Sequence, residues 1–228
     1  MPGSQSANKR REALLIAAML LLVAMVHLPW IRLHGPMEWK PPAETFGACV
    51  GIAFTEKHYG HYEPTAVISL AWDYFTTGKE HPATYRFHSL FGILCQSAFL
   101  WLLLRRFRLP TTAVLFITLF CACVPWRIYA MMDPDLRRQI AAPLFFCMAL
   151  WCATLNNLRR PQPWMILCAL AGFIALGASP WCAALLLDIP VISWLHQRLS
   201  KEAFRWKPLL LPETIILLTT LFVFTHLR

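Results

Sequence analysis

Apolar residues in this chain gather into seven long blocks, separated by short basic, polar or proline-rich interruptions. The blocks cover residues 13–31, 85–104, 111–131, 140–155, 164–178, 181–195 and 209–227. Crossing ~30 Å of hydrocarbon takes about 20 helical residues, so each block predicts a membrane-spanning helix. The fourth to sixth are short and predict helices that stand upright or run into polar flanks. The first follows Lys9-Arg10-Arg11, but its apolar run is longer than a signal-peptide core and no small-x-small cleavage site follows. It predicts an uncleaved anchor.

Between the first two blocks lies one long polar segment, residues 32–84, which carries two shorter apolar stretches at 43–54 and 64–75. Neither is long enough to span. In the second, Thr65, Ile68, Trp72 and Phe75 recur near helical spacing, and Glu63 ahead of Pro64 suits a helix start. The two stretches predict short helices lying in the membrane interface. The fold expected is therefore an all-α integral membrane protein, one domain over residues 1–228, with about seven transmembrane helices and a large structured first outer loop.

Composition agrees. Apolar residues make up 57% of the chain and charged residues 14%, against about 45–50% and about 25% in soluble proteins. The net charge of +9 has a topological origin. Lys9, Arg10, Arg11, Arg105, Arg106, Arg108, Arg159, Arg160, Arg198, Lys201, Arg205 and Lys207 occupy four short segments that fall on one side when the amino terminus is cytoplasmic. The opposite segments are nearly neutral, so the positive-inside rule puts residues 32–84 outside. The expected location is multi-pass, in a bacterial inner membrane. Basic residues scattered over separate loops make no stripe for nucleic acid.

Candidate chemistry centres on residues 62–158. Tyr62-Glu63-Pro64, Ser69-Leu70-Ala71-Trp72-Asp73-Tyr74, Tyr85-Arg86-Phe87-His88, Arg105-Arg106, Pro125-Trp126-Arg127, Arg137 and Ala141-Ala142-Pro143-Leu144-Phe145-Phe146 follow one another in that order. The order resembles the polytopic C-type glycosyltransferases, in particular their protein O-mannosyltransferase-like branch. That resemblance implies transfer of a sugar from a polyprenyl-phosphate carrier on the outer membrane face. It also implies a large first outer loop with two short helices, followed by six further spans. Such chemistry needs a carboxylate to take the acceptor's proton and cations to hold the departing phosphate.

In the family the carboxylate is an Asp-Asp pair soon after a Trp. Here Trp39 is followed by Lys40-Pro41-Pro42, with Glu38 and Glu44 flanking the place. Either could serve as the acid, or both could be solvated loop acids. Tyr129 stands where the family has a second acid, and Tyr62-Glu63-Pro64 replaces Tyr-Arg-Pro. Arg137 stands where the family has an arginine, with Asp133 and Asp135 nearby. The catalytic candidates are Glu38, Glu44 and Asp133, and the phosphate candidates are Arg137 and Arg138, which could clamp a phosphate or bind ordinary headgroups.

Remaining features divide between structure and function. The eight cysteines lie mostly inside predicted spans as small apolar packers, and Cys121-x-Cys123 lacks the paired spacing of a zinc site. No metal or cofactor is expected on the leading reading. Asp188 falls midway along the sixth predicted span, as a functional group or a hydrogen-bonded buried acid. His27, His88 and His226 near outer span ends leave a bis-histidine haem anchor as a further alternative, and His58-x-x-His61 reads as a solvated pair. A second alternative is a non-catalytic membrane subunit or lipid-binding scaffold of a larger complex. The partners expected are membrane lipids, a polyprenyl-phosphate sugar and other membrane subunits.

Overall fold

The computed structural model describes residues 3–31, 39–57, 63–77, 82–155, 162–201 and 207–227. Among them there is no strand. In chain order the helices are α1 (Gly3–Ile31), α2 (Phe46–Thr55), α3 (Pro64–Thr77), α4 (Pro82–Arg106), α5 (Thr111–Cys123), α6 (Pro125–Met132), α7 (Arg138–Ala153), α8 (Gln162–Ala178), α9 (Leu185–Ser200) and α10 (Leu210–Leu227). Short 3-10 turns at Pro134–Leu136, Pro180–Ala184 and Lys207–Leu209 precede α7, α9 and α10.

These boundaries support the predicted span count only in part. Arg10–Ile31 and Ala83–Arg106 are long and apolar enough to cross a membrane. The third block is two helices, Thr111–Cys123 and Pro125–Met132, bent by 42°, and makes a third span only if the pair is taken as one. Pro125 is the cause: it lacks an amide hydrogen to continue α5, and it sits at the first position of α6, where none is needed. Helices α7, α8 and α9 have 16, 17 and 16 residues, or about 24–26 Å at ~1.5 Å per residue. Among the described residues, length and apolarity therefore mark two spans, or three with the bent pair, where the apolar blocks predict seven. The sixth block differs in kind, because its start is spent on the Pro180–Ala184 turn. Asp188 consequently lies in the first turn of α9 rather than at mid-span, where the helix dipole favours an anion.

Tertiary contacts sort the helix ends into two poles. At one pole Glu12 of α1 pairs with Arg105 of α4, Phe107 meets the His196 ring edge-on, and Ser193 of α9 donates to the Ala153 carbonyl of α7 at 3.1 Å. At the other, the Tyr85 hydroxyl donates to the Asp133 carbonyl at 3.0 Å, and Thr65 of α3 donates to the Ile174 carbonyl of α8, also at 3.0 Å. The second pole carries the α2–α3 layer. Both short helices predicted in the segment between the first two blocks are present, packed around Trp39, Cys49, Leu70, Ala71 and Tyr85. Phe46 meets Trp72 and Phe75 edge-on across the pair.

Helices α7 and α8 form the centre. Their contact is lined by Ala149, Cys152, Ala153, Cys168, Ala171 and Ala175, all buried. Small side chains let helix backbones approach closely, which is how apolar helices gain packing energy where no hydrophobic driving force separates them. Pro143 inside α7 removes the amide that would bond to the Gln139 carbonyl four residues back. Buried Arg127 from α6 fills the vacancy, donating to that carbonyl at 2.5 Å. The Leu14, Leu21, Phe116, Phe120 and Leu187 side chains remain outward-facing and exposed, an apolar surface that a water-soluble monomer rarely carries.

Gly177 sets the seat of the α2–α3 layer on α8. A Cβ there would lie 2.5 Å from the Thr65 hydroxyl, itself bonded to the Ile174 carbonyl, whereas one at Gly47 would meet nothing within 4 Å. Gly177→Ala should destabilise the detergent-solubilised protein by about 1–3 kcal/mol, the usual cost of overpacking. Gly47→Ala should leave it unchanged or slightly more stable. Thermal unfolding of the two variants side by side checks the contrast.

Candidate functional site

Charged side chains at the α2–α3 pole resolve into two clusters that share the entry of α7. Asp73 belongs to α3, whose buried face carries Ala66, Val67, Leu70 and Ala71. A carboxylate on that face is taken out of water, which is tolerable only with partners. It has two. One oxygen accepts from Arg137, in the turn before α7, and the other accepts from the His88 ring at 2.5 Å. Arg137 is buried and its guanidinium carbon lies 4.4 Å from the centre of the Tyr85 ring. Burial pulls its pKa down to about 10, which still leaves it cationic at neutral pH. Asp73 is 4% exposed at its side chain and His88 40%, so the histidine is the cluster's outward edge.

Arg138 points the other way. It pairs with Glu63, the residue just before α3, and both line a groove of about 510 Å³. The groove follows α7 through Gln139, Ala142, Pro143, Phe146 and Cys147, and its opposite wall is Ser179 to Cys182 at the end of α8. From Arg138 to Cys147 the α7 axis rises about 13 Å at ~1.5 Å per residue. One end is thus charged and the other apolar. No side chain caps the N-terminus of α7, so its dipole adds positive potential at the charged end. An anionic head joined to a long apolar chain matches this gradient.

The residues singled out from sequence are distributed unevenly over these clusters. Arg137 and Arg138, adjacent in sequence, diverge: the first is bound to Asp73 and stacked on Tyr85, the second faces the groove. They form no joint clamp, because at the entry of a helix consecutive side chains point about 100° apart. Asp133 ends α6, where its carbonyl takes the Tyr85 hydroxyl. Glu44 is exposed beside a separate depression with Lys40, Pro41, Pro42, Tyr74 and Phe75. Glu38, His58 and His61 lie outside the described residues, as do the side chains of Asp135 and His226. His27 is buried in α1 and its Nδ1 lies 2.8 Å from the Val23 carbonyl. Among the described residues no three His, Cys, Asp or Glu side chains gather as a metal site would require.

Sequence inspection gives no weight to Asp73 as a site residue, considers His88 only as a haem ligand, and treats Glu63 as a departure from the family pattern and, with Asp135, as a lesser candidate base behind Glu38, Glu44 and Asp133. The available signal is the lone carboxylate in the apolar stretch at 64–75, since a charge on the inner face of a short helix needs a partner elsewhere in the chain. Which partner depends on packing. Arg127 is similarly hidden: only the pairing of Pro143 with an orphaned carbonyl explains a buried arginine in α6.

Removing one member of a buried ion pair strands the other, at a cost of about 3–5 kcal/mol. Asp73→Ala should therefore destabilise the fold by that order, and His88→Gln by much less, because Arg137 still holds the carboxylate. The double variant Asp73→Asn/Arg137→Gln should recover part of the loss by removing both charges. Thermal unfolding in one detergent ranks the three.

No family model, curated protein or solved structure matched this chain.

Proposed function

We propose that this chain is a glycosyltransferase-like membrane protein that binds a polyprenyl-phosphate sugar, with the lipid phosphate at Arg138 and the isoprenoid chain along α7. The observation that carries the proposal is the groove itself. Its mouth combines a cation, a carboxylate and an uncapped helix N-terminus, and its floor is Ala142, Pro143 and Phe146. A guanidinium with partial exposure suits a phosphate that must bind and later leave. Seven membrane crossings with the amino terminus inside and the α2–α3 layer outside belong to this reading. The two poles of helix ends support alternate crossings, and the one-sided basic segments support the orientation. The short helices α7 to α9 then cross with help from their flanks or under local thinning of the bilayer.

Among the described residues Glu63 is the carboxylate that lines the groove beside Arg138, and it takes the role that the family resemblance implied for Glu38, Glu44 or Asp133. As it stands it is paired with Arg138. A phosphate arriving at Arg138 competes for the guanidinium and frees Glu63 to accept the proton of an acceptor hydroxyl, so donor binding and base activation are one event. The same ion pair favours a second reading, a non-catalytic subunit that holds a lipid phosphate for a partner, because a carboxylate kept in an ion pair is a weak base.

Variants separate the two. Arg138→Ala should weaken binding of polyprenyl phosphate in lipid nanodiscs by about tenfold or more, and Arg138→Lys should restore only part, since the planar fork is lost. Glu63→Gln should reduce sugar transfer by about 10²–10⁴-fold, as loss of a true base does. Full cellular function with Glu63→Gln, together with loss in Arg138→Ala, identifies the non-catalytic subunit. Unchanged lipid binding in Arg138→Ala overturns the groove assignment.

A further inference from the structure

The mouth of the groove holds more than a phosphate requires. Besides the Arg138–Glu63 pair it is lined by Gln139, Ser179 and Trp181. An amide and a hydroxyl can donate to a phosphate, but unlike a guanidinium they also accept, which suits them to neutral hydroxyls. Trp181 is 90% exposed, the most exposed of the chain's large apolar side chains among the described residues. It sits in the 3-10 turn Pro180–Ala184, begun by Pro180 and continued without a break by α9. The backbone beneath the indole is thus short, proline-started and anchored at its end by buried Cys182 and Leu185.

A large flat apolar ring, uncovered and set on a fixed turn, stands beside two neutral hydrogen-bonding side chains. That combination fits a pyranose: the C–H face of the sugar lies on the indole while its hydroxyl edge meets the amide and the hydroxyl. We infer that Trp181 is the stacking platform for the sugar ring of a glycosyl-phosphoryl polyprenol, with Gln139 and Ser179 reading its hydroxyls. The inference rests on the groove reading and narrows it, since it makes the groove selective for the sugar-bearing lipid over the bare phosphate.

The order along the groove follows. The chain lies against Phe146 and Cys147, the phosphate at Arg138, and the sugar at the rim over Trp181, where an acceptor can approach. Aromatic contacts of this size change affinity by about 2- to 10-fold. Removing the ring should erase a preference of that order and leave the lipid contacts intact.

The test measures dissociation constants in lipid nanodiscs for polyprenyl phosphate with and without a hexosyl group, using the full chain as wild type, Trp181→Ala and Trp181→Phe. Because the side chain is almost wholly exposed, truncation leaves no internal cavity, and unfolding temperatures of the three proteins should coincide. Wild type should prefer the hexosyl lipid, Trp181→Ala should bind both lipids equally, and Trp181→Phe should keep most of the preference. If Trp181→Ala retains the full preference, or weakens both lipids alike as loss of a membrane anchor would, the platform is overturned. Equal binding of both lipids by wild type overturns the platform while leaving the groove reading standing. Binding of neither lipid by wild type overturns both.

Discussion

The ion pair between Asp73 and Arg137 is the most deeply buried charged contact joining the α2–α3 layer to the helix bundle, beside the Thr65–Ile174 and Glu63–Arg138 bonds. Both side chains are withdrawn from solvent, so each depends on the other, and His88 and Tyr85 from α4 close the cluster on the remaining sides. The consecutive helices α3 and α4 and the distant entry of α7 are brought together at a single carboxylate. The consequence reaches further than the pair. With Arg137 turned towards α3, the next residue on α7 faces away, and Arg138 is directed to Glu63 and the groove. A buried interaction of structural character thereby aims Arg138 at Glu63 and the groove.

Backbone satisfaction acts as a second constraint. Pro143 leaves the Gln139 carbonyl without its usual partner, and buried Arg127 supplies one from α6. The same proline lines the groove, so the irregularity that shapes the α7 wall also requires the arginine that stabilises it. Nearby, small residues let α7 and α8 approach, and the glycine at 177 lets α3 sit on α8. The groove lies where these close contacts end, between the entry of α7 and the turn after α8. Its charged mouth and apolar floor follow from running along a helix that starts at a charged pole and continues into the packed centre.

How much of this could be read from the residues alone differs by level. The helical class, the apolar blocks and the two short helices between the first and second blocks are legible, because 3.6-residue spacing, block length and proline position act locally. The break inside the third block was written in Pro125, yet the apolar run on both sides masked it. Helix length is less legible for a related reason: hydropathy counts apolar residues, and the 3-10 turn Pro180–Ala184 is as apolar as the α-helix it precedes.

The site was less legible. Arg137 and Arg138 are legible as candidates, but adjacency suggests a joint clamp, whereas Arg137 pairs with Asp73 and Arg138 with Glu63. The sequence by itself determined the chemistry in stock: a helical chain, apolar enough to enter a membrane, with basic residues concentrated in alternate short segments and a few carboxylates and arginines among the others. Only the tertiary structure decided which acid meets which base. Asp73 and Arg137 lie 64 residues apart and Glu63 and Arg138 lie 75 apart, and pairings over such separations are set by how helices pack. Local pattern carries periodicity and polarity. It carries no information on which of two neighbouring arginines turns inward, because that choice is made by the desolvation of a carboxylate on another helix.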